Sequence, residues 1–265
     1  MTTSCILGVV EGLTEFLPVS STGHLVISSS LLGLGGEKAA TFNVVIQVGA
    51  MLAVLALYWR KFLGLLAPRG SSSALSGMHG IMLLILTTIP GAVLGLLLHS
   101  RIKALFTPAS VAIALIAGSV FMVLAERYLA GRNAESASGV DTLTARQALG
   151  VGCFQCLALW PGFSRSASTI AGGMLLGLSR RDAAEYSFLA AVPIIVGAAG
   201  YDLLKSLPLL SAADLPYFLA GSLASFLSAL VAIKTFIAFA GRVTLRGFAL
   251  YRVLLAVPVY WFLAQ

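Results

Sequence analysis

Six uninterrupted apolar stretches of membrane-spanning length dominate the chain. They cover approximately residues 40–58, 79–98, 108–126, 186–204, 214–236 and 247–264. About 20 apolar residues in a helix cross the roughly 30 Å hydrocarbon layer of a bilayer. Apolar residues make up 58% of the 265-residue chain and charged residues 10%. A soluble domain has about 45–50% apolar residues and about 25% charged residues. The sequence therefore predicts an all-α integral membrane protein with six transmembrane helices.

Two further apolar stretches, 4–32 and 147–178, are each interrupted near the middle by a polar segment that contains proline. The interruptions are PVSSTGH at 18–24 and PGFSRSAST at 161–169. Irregular backbone at membrane depth is tolerated only where it is buried in protein or lines a water-filled cavity. We therefore expect each stretch to form a re-entrant helix-loop-helix hairpin.

The two hairpins resemble each other at an ungapped offset of 144 residues. The matched positions include Gly8 with Gly152, Leu13 with Leu157, Ser20 with Ser164, Glu11 with Gln155, and the run 31–34 with 175–178. A chance match is the alternative, since Leu and Gly dominate the identities. A re-entrant hairpin returns to the side of the membrane where it began, and three spans then cross, so the second repeat must have the opposite orientation. Inverted repeats of this kind place a site where their broken helices meet. We expect a single membrane domain with repeats at 1–130 and 147–265 and a connecting loop at 131–146.

The basic residues are distributed unequally between the two predicted membrane faces. Ten lie on one face: Arg60, Lys61, Arg69, Arg127, Arg132, Arg146, Arg180, Arg181, Arg242 and Arg246. Four lie on the other: Lys38, Arg101, Lys103 and Lys205. The positive-inside rule makes the first face cytoplasmic, with both termini outside. The net charge of +7 thus reflects topology, and no basic patch with interleaved aromatics indicates nucleic acid as a partner.

Two carboxylates lie within the first hairpin. Glu11 and Glu15 are four residues apart, so a helix places both on one face, and Gly12 is expected to keep that face open. Ionisable groups inside a membrane are costly and usually functional, and two adjacent carboxylates repel unless a cation lies between them. The pair predicts a site for a divalent cation, Mg²⁺ or Ca²⁺, which prefers oxygen ligands. A helix end exposed at the membrane interface is the alternative.

The interruption of the first hairpin supplies Ser20, Ser21, Thr22 and His24. Hydroxyls beside a histidine can form a nucleophile with its base if they meet in the fold. The alternatives are that one hydroxyl caps the following helix and that His24 is an ordinary packing residue. Capping and catalysis are compatible, because a helix cap also presents backbone N–H groups to an anion.

The interruption of the second hairpin centres on Arg165, beside the hydroxyls of Ser164, Ser166 and Thr169. A planar guanidinium binds two phosphate oxygens at once, and a helix beginning there adds the partial positive charge of its N-terminus. A structural ion pair with a glutamate of the first hairpin is the competing role. One site could use Arg165 in both ways.

Together these residues indicate metal-assisted phosphoryl transfer within the membrane. The P-loop, GxSxG and HExxH motifs of soluble enzymes are absent from the sequence. A secondary transporter or lipid flippase for an anion would need many of the same groups. The residue types alone leave that alternative open.

Two long motifs carry a resemblance to a known family. GVVEGLTEFLPVSSTGH at 8–24 and CLALWPGFSRS at 156–166 resemble the bacterial undecaprenyl pyrophosphate phosphatase family, which is linked with bacitracin resistance, and the likeness extends through essentially the whole chain. The resemblance implies hydrolysis of undecaprenyl pyrophosphate to undecaprenyl phosphate and phosphate, which recycles the lipid carrier for cell-wall synthesis. It also implies a divalent cation and an active site open to the periplasmic side of the bacterial inner membrane.

Carried over residue by residue, the resemblance assigns Glu11 and Glu15 to the acidic pair, Ser21 to the proposed nucleophile, His24 to the motif histidine and Arg165 to the phosphate-binding arginine. Ser20, Ser164 and Thr169 fall on accompanying motif positions, and Thr22 and Ser166 lie beside them. The implied partners are the prenyl pyrophosphate lipid and membrane lipids. The oligomeric state is left open, with a homodimer as one alternative.

Overall fold

The structure, a computed structural model, describes residues 1–66, 74–130 and 139–264. Over these ranges the regular secondary structure is helical throughout. Six helices are long and apolar enough to cross a membrane: Lys38–Leu57, Gly77–Leu97, Pro108–Tyr128, Arg180–Leu209, Ala212–Phe239 and Leu245–Phe262. The predicted all-α, multi-pass membrane protein with six candidate spans is confirmed.

The helices are numbered in chain order. They are α1 (Thr2–Thr14), α2 (Ser21–Leu31), α3 (Gly36–Leu57), α4 (Trp59–Gly64), α5 (Gly77–Leu97), α6 (His99–Ala104), α7 (Pro108–Ala130), α8 (Ala145–Gln155), α9 (Arg165–Leu175), α10 (Arg180–Ser206), α11 (Leu215–Phe239) and α12 (Leu245–Ala264). Short 3₁₀ turns lie at Val140–Thr142, Cys156–Leu159, Leu207–Leu209 and Ala212–Asp214.

Helix α10 begins six residues before the predicted span at 186–204, because hydropathy locates the apolar part of a helix and not its end. Ser179 caps α10 by accepting a hydrogen bond from the Asp182 N–H at 3.1 Å. Of the predicted loop at 131–146, residues 131–138 lie outside the described ranges. Its last two residues already belong to α8, which Thr144 caps through the Gln147 N–H.

Two pairs of short helices, α1 with α2 and α8 with α9, contain the interrupted stretches. Each helix has 11 to 13 residues, so at about 1.5 Å per residue none exceeds roughly 20 Å. The second helix of each pair begins with the same cap. Ser20 (φ 72°) and Ser164 (φ 77°) are the non-glycine residues with positive φ in the described chain. Each serine side chain accepts from the N–H three residues ahead.

The helix pairs pack against spans from the other half of the chain. Helix α1 packs on α11 and α8 packs on α5, while α2 contacts α12 and α9 contacts α7. The central spans α3 and α10 contact each other, as do α7 and α12. Each half of the chain therefore supplies packing surface for the short helices of the other half, and α9 also packs on α10 and α1 on α3 within their own halves.

Glycines set how closely the short helices approach these spans. A Cβ on Gly8 would overlap the carbonyl oxygen of Gly221, and one on Gly152 would lie 2.6 Å from the Thr87 carbonyl oxygen. Gly12 has the same role, because a Cβ there would overlap the Ser225 carbonyl oxygen on α11. The expectation that Gly12 keeps the carboxylate face open is therefore wrong: it allows close packing.

We predict that Gly8→Ala destabilises the protein by about 1–3 kcal/mol, the usual cost of overpacking. Ala otherwise favours a helix over Gly by about 1 kcal/mol, so a loss would report the close contact with α11. The measurement is the thermal midpoint in detergent. Gly197→Ala in α10 is the matched control, since nothing lies within 4 Å of its added Cβ. Equal midpoints for the two variants would contradict the prediction.

Candidate active site

Glu15 joins the two pairs of short helices. It stands at the C-cap of α1 with helical backbone angles, φ −64° and ψ −40°. Its Oε1 accepts from Arg165 Nη2 at 2.8 Å, and its Oε2 accepts from the Ser21 hydroxyl at 2.7 Å. The Glu15 and Arg165 side chains are 6% and 13% exposed. One carboxylate thus holds the serine that begins α2 and the arginine that begins α9.

Arg165 is further oriented by α10. Its Nη1 donates to the backbone oxygen and to the hydroxyl of Ser187, both at 3.1 Å. The Ser187 hydroxyl is also 2.6 Å from Thr169 Oγ1. Arg165 Nε has no hydrogen-bond partner among the described residues. The guanidinium is therefore fixed on two sides and retains donor capacity.

An open cavity of about 260 Å³ lies against this ion pair. Its polar lining consists of Glu15, Ser20, Ser21, Thr22, Gln47, Ser164 and Arg165. Its apolar lining includes Ile102, Phe106, Leu159, Pro161 and Ile195. Most of the predicted site residues therefore face one cavity that both polar loops line.

Ser166 and Thr169 lie behind the cavity. The Ser166 hydroxyl donates to the Leu17 carbonyl at 2.8 Å, which fastens α9 to the first loop. The Thr169 hydroxyl donates to the Arg165 carbonyl at 2.8 Å. Both side chains are buried. In this structure they support the loops and do not line the cavity.

Glu11 lies one turn before Glu15 on α1 and is fully buried. Neither of its carboxyl oxygens accepts a hydrogen bond from an N–H or hydroxyl donor in the part of the chain that the structure describes, and its side-chain neighbour is the Glu15 carboxyl. Gln155, its aligned counterpart on α8, instead donates to the Thr87 carbonyl at 3.3 Å. A buried polar group without a partner requires an explanation, and Glu15 and Arg165 are its charged neighbours.

The donor set fits a cation only in part. No group of three His, Cys, Asp or Glu side chains that could hold a metal occurs within the described ranges. Mg²⁺, however, is commonly bound by one or two carboxylates together with substrate phosphates. The Glu11 and Glu15 carboxyls together fit a cation whose remaining ligands come from the substrate, with Glu15 lining the cavity and Glu11 buried behind it.

His24 faces α12 and not the cavity. Its Nδ1 lies 2.8 Å from the Ser20 carbonyl oxygen and its Nε2 lies 2.6 Å from the Tyr251 hydroxyl. The two rings stack with centroids 5.6 Å apart at an interplanar angle of 11°. Both ring nitrogens are thus engaged. Among the described residues, the hydrogen bonds of His24 go to Ser20 and Tyr251, and that of the Ser21 hydroxyl goes to Glu15.

Arg252 and Gln47 were not singled out as site residues from the sequence. Arg252 is fully buried on α12, and its Nη2 donates to the carbonyls of Gly162 at 3.0 Å and Phe163 at 2.8 Å. It thereby holds the loop that ends at Ser164. Each of the two is a single polar side chain inside a long apolar run, and that signal could have found both.

The geometry favours chemistry on an anion. A serine hydroxyl that donates to a carboxylate has the arrangement of a nucleophile with its general base. A fixed guanidinium and the N-terminus of α9 meet the same cavity and supply positive charge. The Glu15–Ser21 contact makes the carboxylate a better placed base than His24.

Known proteins match nearly the whole chain. The model of the family described as bacitracin resistance protein BacA matches residues 4–258. The chain is 57% identical over 264 residues to a protein named undecaprenyl-diphosphatase from Desulfovibrio desulfuricans, covering 99% of this chain and 98% of that relative. Proteins of the same name from Nitratidesulfovibrio vulgaris, strain DP4, and Maridesulfovibrio salexigens are 60% identical over 265 residues and 56% identical over 261 residues. In both of these cases at least 98% of this chain and 97% of the relative are covered.

The matches to these relatives extend through both polar loops and all six candidate spans, and they cover nearly the full length of each relative. This chain therefore belongs to the bacitracin resistance protein BacA family.

Proposed function

We propose that this protein hydrolyses undecaprenyl pyrophosphate to undecaprenyl phosphate and inorganic phosphate, and so recycles the lipid carrier for cell-wall synthesis. The observation that carries the proposal is the Ser21–Glu15–Arg165 chain of hydrogen bonds at one cavity. It places a hydroxyl, a carboxylate base and an anion-binding guanidinium together. The printed name of the relatives, undecaprenyl-diphosphatase, supports the same activity.

In the proposed arrangement the two short helix pairs are re-entrant hairpins, and residues 1–130 and 147–265 are inverted repeats. Helices too short to cross the bilayer, matching serine caps and the exchange of packing partners between the halves support this arrangement. The cavity includes Ile102 and Phe106, which lie close in sequence to Arg101 and Lys103, two basic residues of the less basic membrane face. The positive-inside rule then gives a cavity and termini on the periplasmic side.

In the proposed mechanism Arg165 and the N-terminus of α9 bind oxygens of the terminal phosphate. Ser21 Oγ attacks the terminal phosphorus and Glu15 accepts the hydroxyl proton. The bond from that phosphorus to the bridging oxygen breaks, and undecaprenyl phosphate leaves. Water then hydrolyses the phosphoserine and releases phosphate. A water molecule positioned by Ser21 is the alternative nucleophile.

Charge stabilisation is the main contribution expected from the protein, because phosphoryl transfer spreads negative charge over the phosphoryl oxygens. A divalent cation held by Glu11 and Glu15 would neutralise part of that charge when bound. Ser20, Thr22 and Ser164 line the cavity and can donate to the pyrophosphate. Ser166, Thr169 and His24 would act by holding the loops in place.

A secondary transporter or flippase for a phosphorylated lipid is the second candidate. The exchange of packing partners between the halves favours it, because inverted repeats with broken helices are typical of transporters. Phosphate release from purified protein in detergent separates the two candidates. Transport needs a sealed membrane, whereas hydrolysis does not.

We predict that Arg165→Lys lowers the rate of phosphate release by about 100- to 1000-fold, the usual effect of losing one stabiliser of transition-state charge. Lysine keeps the charge but cannot bind Glu15, Ser187 and a phosphate with one planar group. The measurement is phosphate release from a long-chain prenyl pyrophosphate in detergent. Arg101→Lys on α6 is the matched control and should keep the wild-type rate. A rate for Arg165→Lys within tenfold of wild type would contradict the role.

We predict that Ser21→Ala also loses at least 100-fold in rate, while Ser30→Ala, an exposed serine on the same helix, stays at the wild-type rate. Rapid acid quenching of the wild type with labelled substrate should trap label on Ser21. Wild-type turnover by an intact Ser21→Ala protein would exclude the nucleophile. A large loss of rate without trapped label would favour the positioned water.

We predict that a chelator abolishes phosphate release and that Mg²⁺ or Ca²⁺ restores it. Glu11→Gln removes the carboxylate charge but keeps the shape, so about tenfold more cation should be needed for half-maximal rate, equivalent to roughly 1.4 kcal/mol. Titration of each cation into chelated wild type and variant measures this. Full activity with chelator would remove the cation from the proposal.

A further inference from the structure

A second concave surface lies between α7 and α12, away from the cavity. It is a groove of about 370 Å³ whose walls are formed by Val120, Leu124, Leu250 and Val253. It ends at two arginines, Arg127 and Arg246. On α7, Arg127 lies nine residues beyond Gly118, where an added Cβ would be 2.7 Å from the Phe163 carbonyl oxygen of the second loop. That separation is about 14 Å along a helix, and neither arginine lines the cavity of the candidate active site.

The two arginines have no counter-ion in the described part of the chain. Both are exposed, and neither has an ion pair within 4 Å among those residues. The adjacent carboxylate, Glu126, is buried and fully engaged. It accepts from Arg180 Nε and Nη2, each at 2.8 Å, and from the Leu245 N–H at 2.8 Å. These contacts fasten the ends of α7, α10 and α12 and leave both groove arginines without a carboxylate partner among the described residues.

The rest of the groove offers hydrocarbon and no free polar group. Its floor includes Ser119 and Ala249, which are buried, and the Ser119 hydroxyl already donates to the Leu115 carbonyl at 2.7 Å. In a bilayer, a lipid chain fills such a lateral groove. Lipid tails are as apolar as leucine, so the walls alone give no preference between lipids. Selectivity must come from the arginines.

We propose that this groove is a binding site for an anionic glycerophospholipid, with its phosphate between Arg127 and Arg246 and one acyl chain between α7 and α12. Guanidinium groups bind phosphate oxygens with two parallel hydrogen bonds. A second copy of this chain fits less well. A two-fold interface brings the same patch of both copies together, and the four arginines would then repel one another. The site is separate from the cavity and does not depend on the proposed hydrolysis.

The test compares phosphatidylglycerol with phosphatidylcholine on delipidated protein in detergent, with bound lipid counted by native mass spectrometry. Wild type should bind phosphatidylglycerol in preference. Arg127→Gln/Arg246→Gln should bind it roughly 30-fold more weakly, given the usual contribution of each basic residue near a membrane surface. Arg60→Gln/Arg146→Gln is the control. It removes two exposed arginines from the same basic face and should bind as wild type does.

Single variants keep the test decisive if the double variant does not fold. Arg127→Gln and Arg246→Gln should each weaken binding about fivefold, with an unchanged thermal midpoint in detergent as a check of folding. Equal phosphatidylglycerol binding by wild type and the groove variants would overturn the proposal. So would tighter binding of a long-chain prenyl phosphate than of phosphatidylglycerol at these arginines, which would make the groove a product site. Loss of a dimer in the double variant would assign the groove to a second copy and would also overturn it.

Discussion

The ion pair between Glu15 and Arg165 ties together two parts of the chain 150 residues apart in sequence. Neither charge could remain in this poorly exposed position alone, because an unpaired buried charge costs several kcal/mol. Bringing them together also brings together the ends of α1 and α9, and with them Ser21 and Ser164. The cavity forms where these two irregular loops meet. The same contact therefore stabilises the centre of the fold and sets the geometry of the candidate active site.

Irregular backbone inside an apolar bundle requires a hydrogen-bond partner for each backbone N–H and C=O group that no helix satisfies. Here side chains supply many of these partners. Ser20 and Ser164 cap the helices that follow the loops, His24 contacts the Ser20 carbonyl, and Ser166 and Arg252 bind loop carbonyls. Of the motif residues among them, His24 and Ser166 satisfy the backbone and do not line the cavity, whereas Ser20 and Ser164 do both. Motif membership alone does not distinguish a residue that contacts a ligand from one that holds the loop.

The spans could be predicted from the sequence because a run of about 20 apolar residues has few other solutions. The interrupted stretches were predictable for the same reason: polar residues with proline cannot continue a lipid-exposed helix. The pairing of Glu15 with Arg165 appeared among the alternatives, since a buried charge needs a partner. The sequence could not show which way each side chain points in the folded protein. Spacing places His24 beside Ser21 in the chain, but the turn of α2 aims it at Tyr251. The position of Arg252 in an apolar run indicates a buried charge that needs a partner, but the sequence does not identify that partner, because its partners are backbone carbonyls.

The positions of Tyr251 and Arg252 have a consequence for biogenesis. These neighbours on the last helix contact the two loops separately, Tyr251 through His24 and Arg252 through Gly162 and Phe163. Helix α1 similarly packs on α11, the penultimate span. During synthesis α1 and α2 therefore leave the ribosome long before the surfaces that hold them exist. The cavity can acquire its final shape only after the last span has been inserted, so a nascent chain carries the first motif for most of its synthesis without an assembled site.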